Sequence, residues 1–333
     1  MKFSREISVQ HASRSSGVTQ PASGFELRAP IEGLVRRVRI LPGIGAALCA
    51  LLLVTGCITR VPDGVRAVKN LEYGQPDRHP LKLDLYLPEN PVGKLPVIVW
   101  IHGGSWKSGS KDFCPIAFMA HKGLAIVSLD YRLSTVATYP AQLHDCKGAI
   151  RWLRANAAKY QLDPDRLGIF GASAGGHLAA LLATTGTVKQ LEGNVGGNLE
   201  YSSDVQAVCA FYPPTDLDKL VTNPEWRRSP ISDIGRLLGG PLNDNLQKAA
   251  TANPINYISP KTAPIFLLHG DRDTLVPISQ SEILYNALQK AGVASEFAIV
   301  KGKGHGIIAP PDVAPRIYQF YQQHLRIDRS LAN

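Results

Sequence analysis

One stretch of this chain sharply limits what it can fold into. Arg166-Leu167-Gly168-Ile169-Phe170 reads as a short apolar strand. Gly176-His177-Leu178-Ala179-Ala180-Leu181-Leu182-Ala183 reads as a helix of small residues. Between them lies Gly171-Ala172-Ser173-Ala174-Gly175, a G-x-S-x-G turn. Small flanking residues let strand and helix approach closely, and the turn pushes the serine hydroxyl out of the sheet. It also sets Ser173 at a helix N-terminus, where free N–H groups and the helix dipole favour developing negative charge. Three fixed residues are a weak signal alone; the strand–turn–helix context and the rest of the chain give it weight.

The same alternation runs through the chain. Leu81, Leu83, Leu85 and Leu87 alternate as in a half-buried strand. Pro96–Ile101 and Leu124–Leu129 are continuous apolar runs, as in strands covered on both faces. A helix is expected after Pro140, carrying Leu143, Ile150, Leu153, Ala157 and Tyr160, with its exit marked by Asp163-Pro164. Further strands are expected at Val205–Phe211, Pro264–Leu268 and Glu296–Val300, and helices at Ser279–Ala291 and Ala314–His324. Alternating strands and helices predict an α/β fold, a mostly parallel sheet of about eight strands with helices on both faces. Gly186–Ser203 reads as a loop. Leu217–Pro260 reads as a lid-like insertion with a short helix near Asn245–Ala250, a place for a substrate wall.

The formal charge of +9 invites a nucleic-acid reading, which its distribution opposes. Residues 1–60 hold eight Lys/Arg against three Glu, which is +5 and leaves +4 for everything after them. No basic block interleaved with aromatics follows, so no nucleic-acid partner is expected. The excess instead precedes a short apolar stretch: Arg36-Arg37-Val38-Arg39, then Ile40–Val54, then Thr55-Gly56-Cys57. A basic region, an apolar run and small residues make an export signal, and the run is short and glycine-broken for a membrane span. Residues 1–56 are therefore expected to export the chain from the cytoplasm, 57–70 to be a linker, and 71–328 to be one catalytic domain carrying the insertion at 217–260. Of the remaining cysteines, Cys209 lies in an apolar run and reads as core, while Cys114 and Cys146 could pair or stand free.

A serine nucleophile needs a base, a group to orient it and donors for an oxyanion. In an open α/β sheet these belong at the carboxyl ends of strands. His102-Gly103-Gly104-Ser105-Trp106 follows one apolar run, and its glycines can turn N–H groups inward. Gly103, Gly104 and Ala174 are the candidate oxyanion donors, with Ser105 and Trp106 beside the substrate; His102 reads as a structural partner of this turn. His269-Gly270-Asp271-Arg272-Asp273 follows another run. Asp273 is preferred as the orienting acid because it lies deeper in the loop; Asp271 is the fallback, with turn hydrogen bonding as its ordinary role. His305 stands between Gly304 and Gly306 after the last strand, free to reach Ser173. The order Ser173, Asp273, His305 is that of a serine–acid–histidine triad. No histidine stands at a metal-ligand spacing from Cys or carboxylates, so neither metal nor cofactor is predicted.

At these residues the chain resembles the α/β-hydrolase superfamily. It is most similar to the bacterial esterase/lipase group that includes hormone-sensitive-lipase-like enzymes and bifunctional acetylxylan/feruloyl esterases. The resemblance is carried by His102–Trp106, Asp130-Tyr131-Arg132, Pro140–Asp145, Gly171–Gly176, Pro214-Thr215-Asp216, His269–Asp273 and Gly304-His305-Gly306, and spans roughly Leu71 to Leu325. The Gly193–Asn198 loop and Phe211–Asp216 favour the feruloyl/acetylxylan branch. Val54-Thr55-Gly56-Cys57 resembles a lipobox, with Val54 where leucine is usual, which implies a lipid anchor on Cys57 as the single membrane contact; a plain secretory signal or an uncleaved anchor is the alternative, and the expected place is periplasmic, outer-membrane or secreted. The resemblance implies ester hydrolysis through an acyl-enzyme, on a small-molecule or polysaccharide ester. A peptidase, an arylformamidase or a non-catalytic hydrolase-fold binding protein are the other readings. Two departures bear on specificity: Ser105 replaces the third glycine of the oxyanion motif, and Pro213 stands where glycine is expected.

Overall fold

The computed structural model describes residues 59–220, 227–229, 231–307 and 309–327. The export segment and Cys57 lie outside them. Eight strands form one sheet, β1 (Val65–Gly74), β2 (Leu81–Pro88), β3 (Leu95–Ile101), β4 (Ala125–Leu129), β5 (Leu162–Ala172), β6 (Ala207–Phe211), β7 (Ile265–Gly270) and β8 (Ser295–Val300). Their order is β1-β2-β4-β3-β5-β6-β7-β8. The β1–β2 and β2–β4 pairs are antiparallel and all others parallel. The helices that position the site are α1 (Ala141–Ala155), α2 (Ala174–Thr184), α3 (Asp233–Leu238), α4 (Leu246–Thr251), α5 (Ser279–Lys290) and α6 (Ala314–His324).

The continuous apolar runs are strands buried on both faces. Along β3, Val97, Val99 and Ile101 enter the core under α1 and α2, while Ile98 and Trp100 enter the core under α6. Ile265 and Leu267 against Phe266 and Leu268 repeat the split on β7. A period of two thus serves both cores, which is why no polar residue interrupts these runs.

Two expectations are corrected. Residues 65–70 are not linker: they open β1, so the domain begins before residue 71. This strand lies at the sheet edge, its outer residues polar, and its register with β2 shifts twice. Strand β5 begins at Leu162 and runs through Asp163-Pro164. The described residues of the 217–260 insertion pack into the fold: Leu217, Ile234, Leu237, Leu238, Leu242, Ala249 and Ala252 share one core with α1 and α2. Cys114, Cys146 and Cys209 are all buried free thiols.

Candidate active site

Ser173 caps α2 with φ 56° and ψ −121°, a conformation that costs a side-chain-bearing residue about 1–3 kcal/mol. The fold holds it there from both sides. Ser173 N–H donates to Phe211 O at 2.9 Å, and its carbonyl accepts from His177 N–H at 2.9 Å. The flanking glycines are required by close approach. A Cβ on Gly171 would stand 2.2 Å from Gly175 O, and one on Gly175 would stand 2.1 Å from Ile101 O.

His305 meets this serine across the sheet end. Ser173 Oγ–H donates to His305 Nε2 at 2.9 Å, and His305 Nδ1–H donates to Asp273 Oδ2 at 2.7 Å. Asp273 Oδ1 accepts from Leu275 N–H and Val276 N–H, each at 2.9 Å. The partner of His305 is thus Asp273 and not Asp271, whose Oδ1 accepts from Gly302 N–H at 2.6 Å and ties the acid loop to the histidine loop. Burial alone would raise the Asp273 pKa. Hydrogen bonds from His269, His305 and Val276 N–H outweigh it and hold the carboxyl well below the usual carboxylate range. It is therefore ionised at neutral pH and fixes the His305 tautomer that leaves Nε2 free to accept a proton.

The Gly103–Trp106 turn lies beside the serine. A Cβ on Gly103 would come within 3.3 Å of Ser173 Cβ. Gly104 has φ +106°, and its carbonyl accepts from Lys107 N–H at 3.0 Å and Ser108 N–H at 3.1 Å. Ser105 and Trp106 follow at φ 52° and 57°, two consecutive left-handed non-glycine residues. The turn rests on residues that carried the family resemblance. The Tyr131 ring stacks on His102 at 4.3 Å, its hydroxyl donates to His102 O at 3.1 Å, and His102 Nδ1 lies 2.8 Å from Gly103 O. Next to Tyr131 in the chain, Arg132 donates its N–H to buried Asp145 at 2.8 Å and its guanidinium at 2.7 and 2.9 Å. His102 is therefore a strut of this turn.

Ser105, Trp106, Ser173 and Ala174 open on a tight pocket of about 40 Å³, closed by Leu220, Ser232, Asp233 and Ile234 of the insertion and by Leu275 and Val276 of the acid loop. Each enclosed water needs roughly 10–15 Å³ of such space, so the pocket suits a group of a few heavy atoms.

Three participants were not picked out from sequence. Tyr212, at φ 37°, sets its ring edge-on to His305 at 4.5 Å; the Phe211–Asp216 phrase was the available signal. His269 Nε2 lies 2.8 Å from Val276 O and 3.3 Å from Asp273 Oδ2, bracing the acid loop. His177, one turn along α2 from Ser173, contacts the Trp106 indole.

A Ser–His–Asp hydrogen-bonded chain at the strand ends of this sheet defines an α/β-hydrolase. Sequence and structural comparisons narrow the class. Residues 83–288 match the model of the BD-FAE family, and the chain belongs to that family. It is 33% identical over 233 residues to "Esterase LipQ" of Mycobacterium tuberculosis, covering 68% of this chain and 53% of that protein. The chain spans about half the length of the first curated relatives it matches, at 53%, 46% and 54%. Among solved structures, a truncated carbohydrate esterase from gut microbiota is 30% identical with a TM-score of 0.73, covering 79% of this chain and 98% of that one. A propionate-bound esterase of Thermogutta terrifontis is 27% identical with a TM-score of 0.60, covering 79% and 92%.

Proposed function

We propose that this protein is a carboxylic-ester hydrolase that uses Ser173 as nucleophile, His305 as general base and acid, and Asp273 as the group that orients His305. The observation that carries the reading is the unbroken Ser173–His305–Asp273 chain of hydrogen bonds opening on the pocket. His305 Nε2 takes the hydroxyl proton as Ser173 Oγ attacks the ester carbonyl. The N–H groups of Gly103, Gly104 and Ala174 receive the oxyanion, where one donor is worth about 3–4 kcal/mol. The bond to the leaving alcohol breaks as His305 returns the proton to it. Water, deprotonated by His305, then attacks the acyl-serine; the acid leaves and Ser173 regains its proton.

The acyl group is read as short, acetyl before feruloyl, because the pocket beside Ser173 is small and its far wall is packed. The alcohol is read as a polysaccharide hydroxyl, in keeping with the carbohydrate esterase among its structural neighbours. Ser105 and Trp106 are assigned to contact the acyl group. Export and lipidation of Cys57 complete the proposal; they rest on the basic–apolar–small order of residues 36–57.

The test is a hydrolysis panel of p-nitrophenyl acetate, acetylxylan, methyl ferulate and a matched acetanilide amide. The expected result is fastest turnover of the acetyl esters, with Ser173→Ala inactive and folded. Amide turnover exceeding that of the esters would overturn the reading.

A further inference from the structure

His177 lies one turn along α2 from Ser173 and is fully buried. Nothing in the proposed chemistry uses it. Its two ring nitrogens nevertheless bond to two different segments, the turn that carries the pocket residue Trp106 and the insertion. Trp106 Nε1–H donates to His177 Nδ1 at 3.1 Å, with the two rings perpendicular at 5.2 Å. His177 Nε2–H donates to Ala252 O at 2.7 Å. Ala252 closes α4 in the insertion, whose core is shared with α2, while Trp106 belongs to the oxyanion turn and lines the pocket. Only a neutral imidazole accepts on one nitrogen and donates from the other. Burial lowers the His177 pKa to about 4, so the ring is neutral through the working range.

Both linked segments are turns or helix ends rather than strand or long helix. Trp106 sits at φ 57°, sparsely populated for a bulky residue, and its carbonyl is taken by Ser134 N–H at 2.7 Å. Between α3 and α4 the insertion is a 3-10 turn and irregular chain. Trp106 and Ile234 both line the pocket, so the spacing of oxyanion turn and insertion sets its width.

We propose that His177 is a positioning residue that clamps Trp106 and Ala252 together and so sets the acyl length the pocket accepts. This rests on the esterase reading above. Its test compares kcat and KM for p-nitrophenyl acetate, butyrate and hexanoate in wild type, His177→Leu, His177→Gln, Trp106→Phe and the His177→Leu/Trp106→Phe pair. His177→Leu is expected to raise the hexanoate-to-acetate ratio of kcat/KM at least about tenfold. His177→Gln, which can still accept and donate, is expected to return the ratio to within about threefold of wild type. The double variant is expected to match the larger single effect, because both changes break one chain of contacts. Trp106→Phe also alters pocket volume, so it is read by hydrogen exchange: peptides covering 246–252 are expected to exchange faster, although they carry no substitution. This arm decides the matter if His177→Leu fails to fold. Unmoved ester ratios in a folded His177→Leu, or unmoved exchange at 246–252, would overturn the inference while leaving the esterase reading intact. A wild type inactive on all three esters would instead overturn that reading, and this inference with it.

Discussion

The pocket has a floor and a wall, and the two are built differently. The floor is the nucleophile turn, the oxyanion turn and the acid and histidine loops. Each follows the carboxyl end of a parallel strand, and each is held in a costly backbone conformation or by several hydrogen bonds. The wall is the described part of residues 217–260, where short helices and 3-10 turns pack by apolar contact. The difference teaches where each property resides. A floor of strained turns and charge-assisted hydrogen bonds tolerates almost no substitution without loss of chemistry. A wall of interchangeable apolar side chains can change selectivity while leaving chemistry in place.

Breaking the floor should produce the largest effect. Asp273→Asn is expected to cost about 10⁴-fold in kcat with KM little changed, because the amide presents an N–H to His305 Nδ1 and reverses its tautomer. Steady-state kinetics with a circular-dichroism check of folding decide this. A loss of less than about tenfold would mean that the floor does not work as a triad. Next comes Gly175→Ala, whose new Cβ would stand 2.1 Å from Ile101 O. It is expected to lower the melting temperature steeply or abolish soluble expression, and a normal melting curve would show the elbow to be less tightly built.

The wall should respond differently. Ile234→Ala removes apolar contact at the pocket and is expected to shift the hexanoate-to-acetate ratio by about tenfold, with kcat on acetate held within about threefold. An equal loss on both esters would erase the distinction between wall and floor.

The smallest effect is a slope in stability with pH, and it belongs to the frame beneath the floor. Burial lowers both His102 and His177 to about 4. Below about 6.5 the unfolded chain binds protons that the folded chain refuses, so stability falls as pH drops from about 6.5 toward 4. Asp273 acts lower still: its depressed carboxyl contributes stability above about pH 4 that is lost on further acidification. Thermal melts of Ser173→Ala between pH 7 and 4 should show the fall, and His177→Gln should flatten it. A melting temperature constant across that window would contradict the assignment of two buried neutral imidazoles.

Much of the floor was legible in the sequence because its parts sit at strand ends and carry glycines for packing reasons. Gly171 and Gly175 announce close approach, and a histidine between Gly304 and Gly306 has no core role. The choice of Asp273 over Asp271 followed from depth in the loop, and the geometry agrees with it. β1 escaped because an edge strand with shifts at Val68/Leu71 and Glu72/Gly74 keeps no period of two. The insertion and its short helix at Leu246–Thr251 were legible, but its packing was not, because apolar contacts between short irregular segments leave no local pattern. The Trp106–His177 contact joins residues far apart in sequence and is visible only once the fold exists.

Ser173, activated by His305, is the proposed nucleophile. Peptide mapping after brief exposure to a fluorophosphonate tests it most directly. The predicted result is one adduct, on the peptide containing Ser173, absent from Ser173→Ala and greatly slowed in His305→Ala. An adduct on another residue, or undiminished labelling of Ser173→Ala, would contradict it.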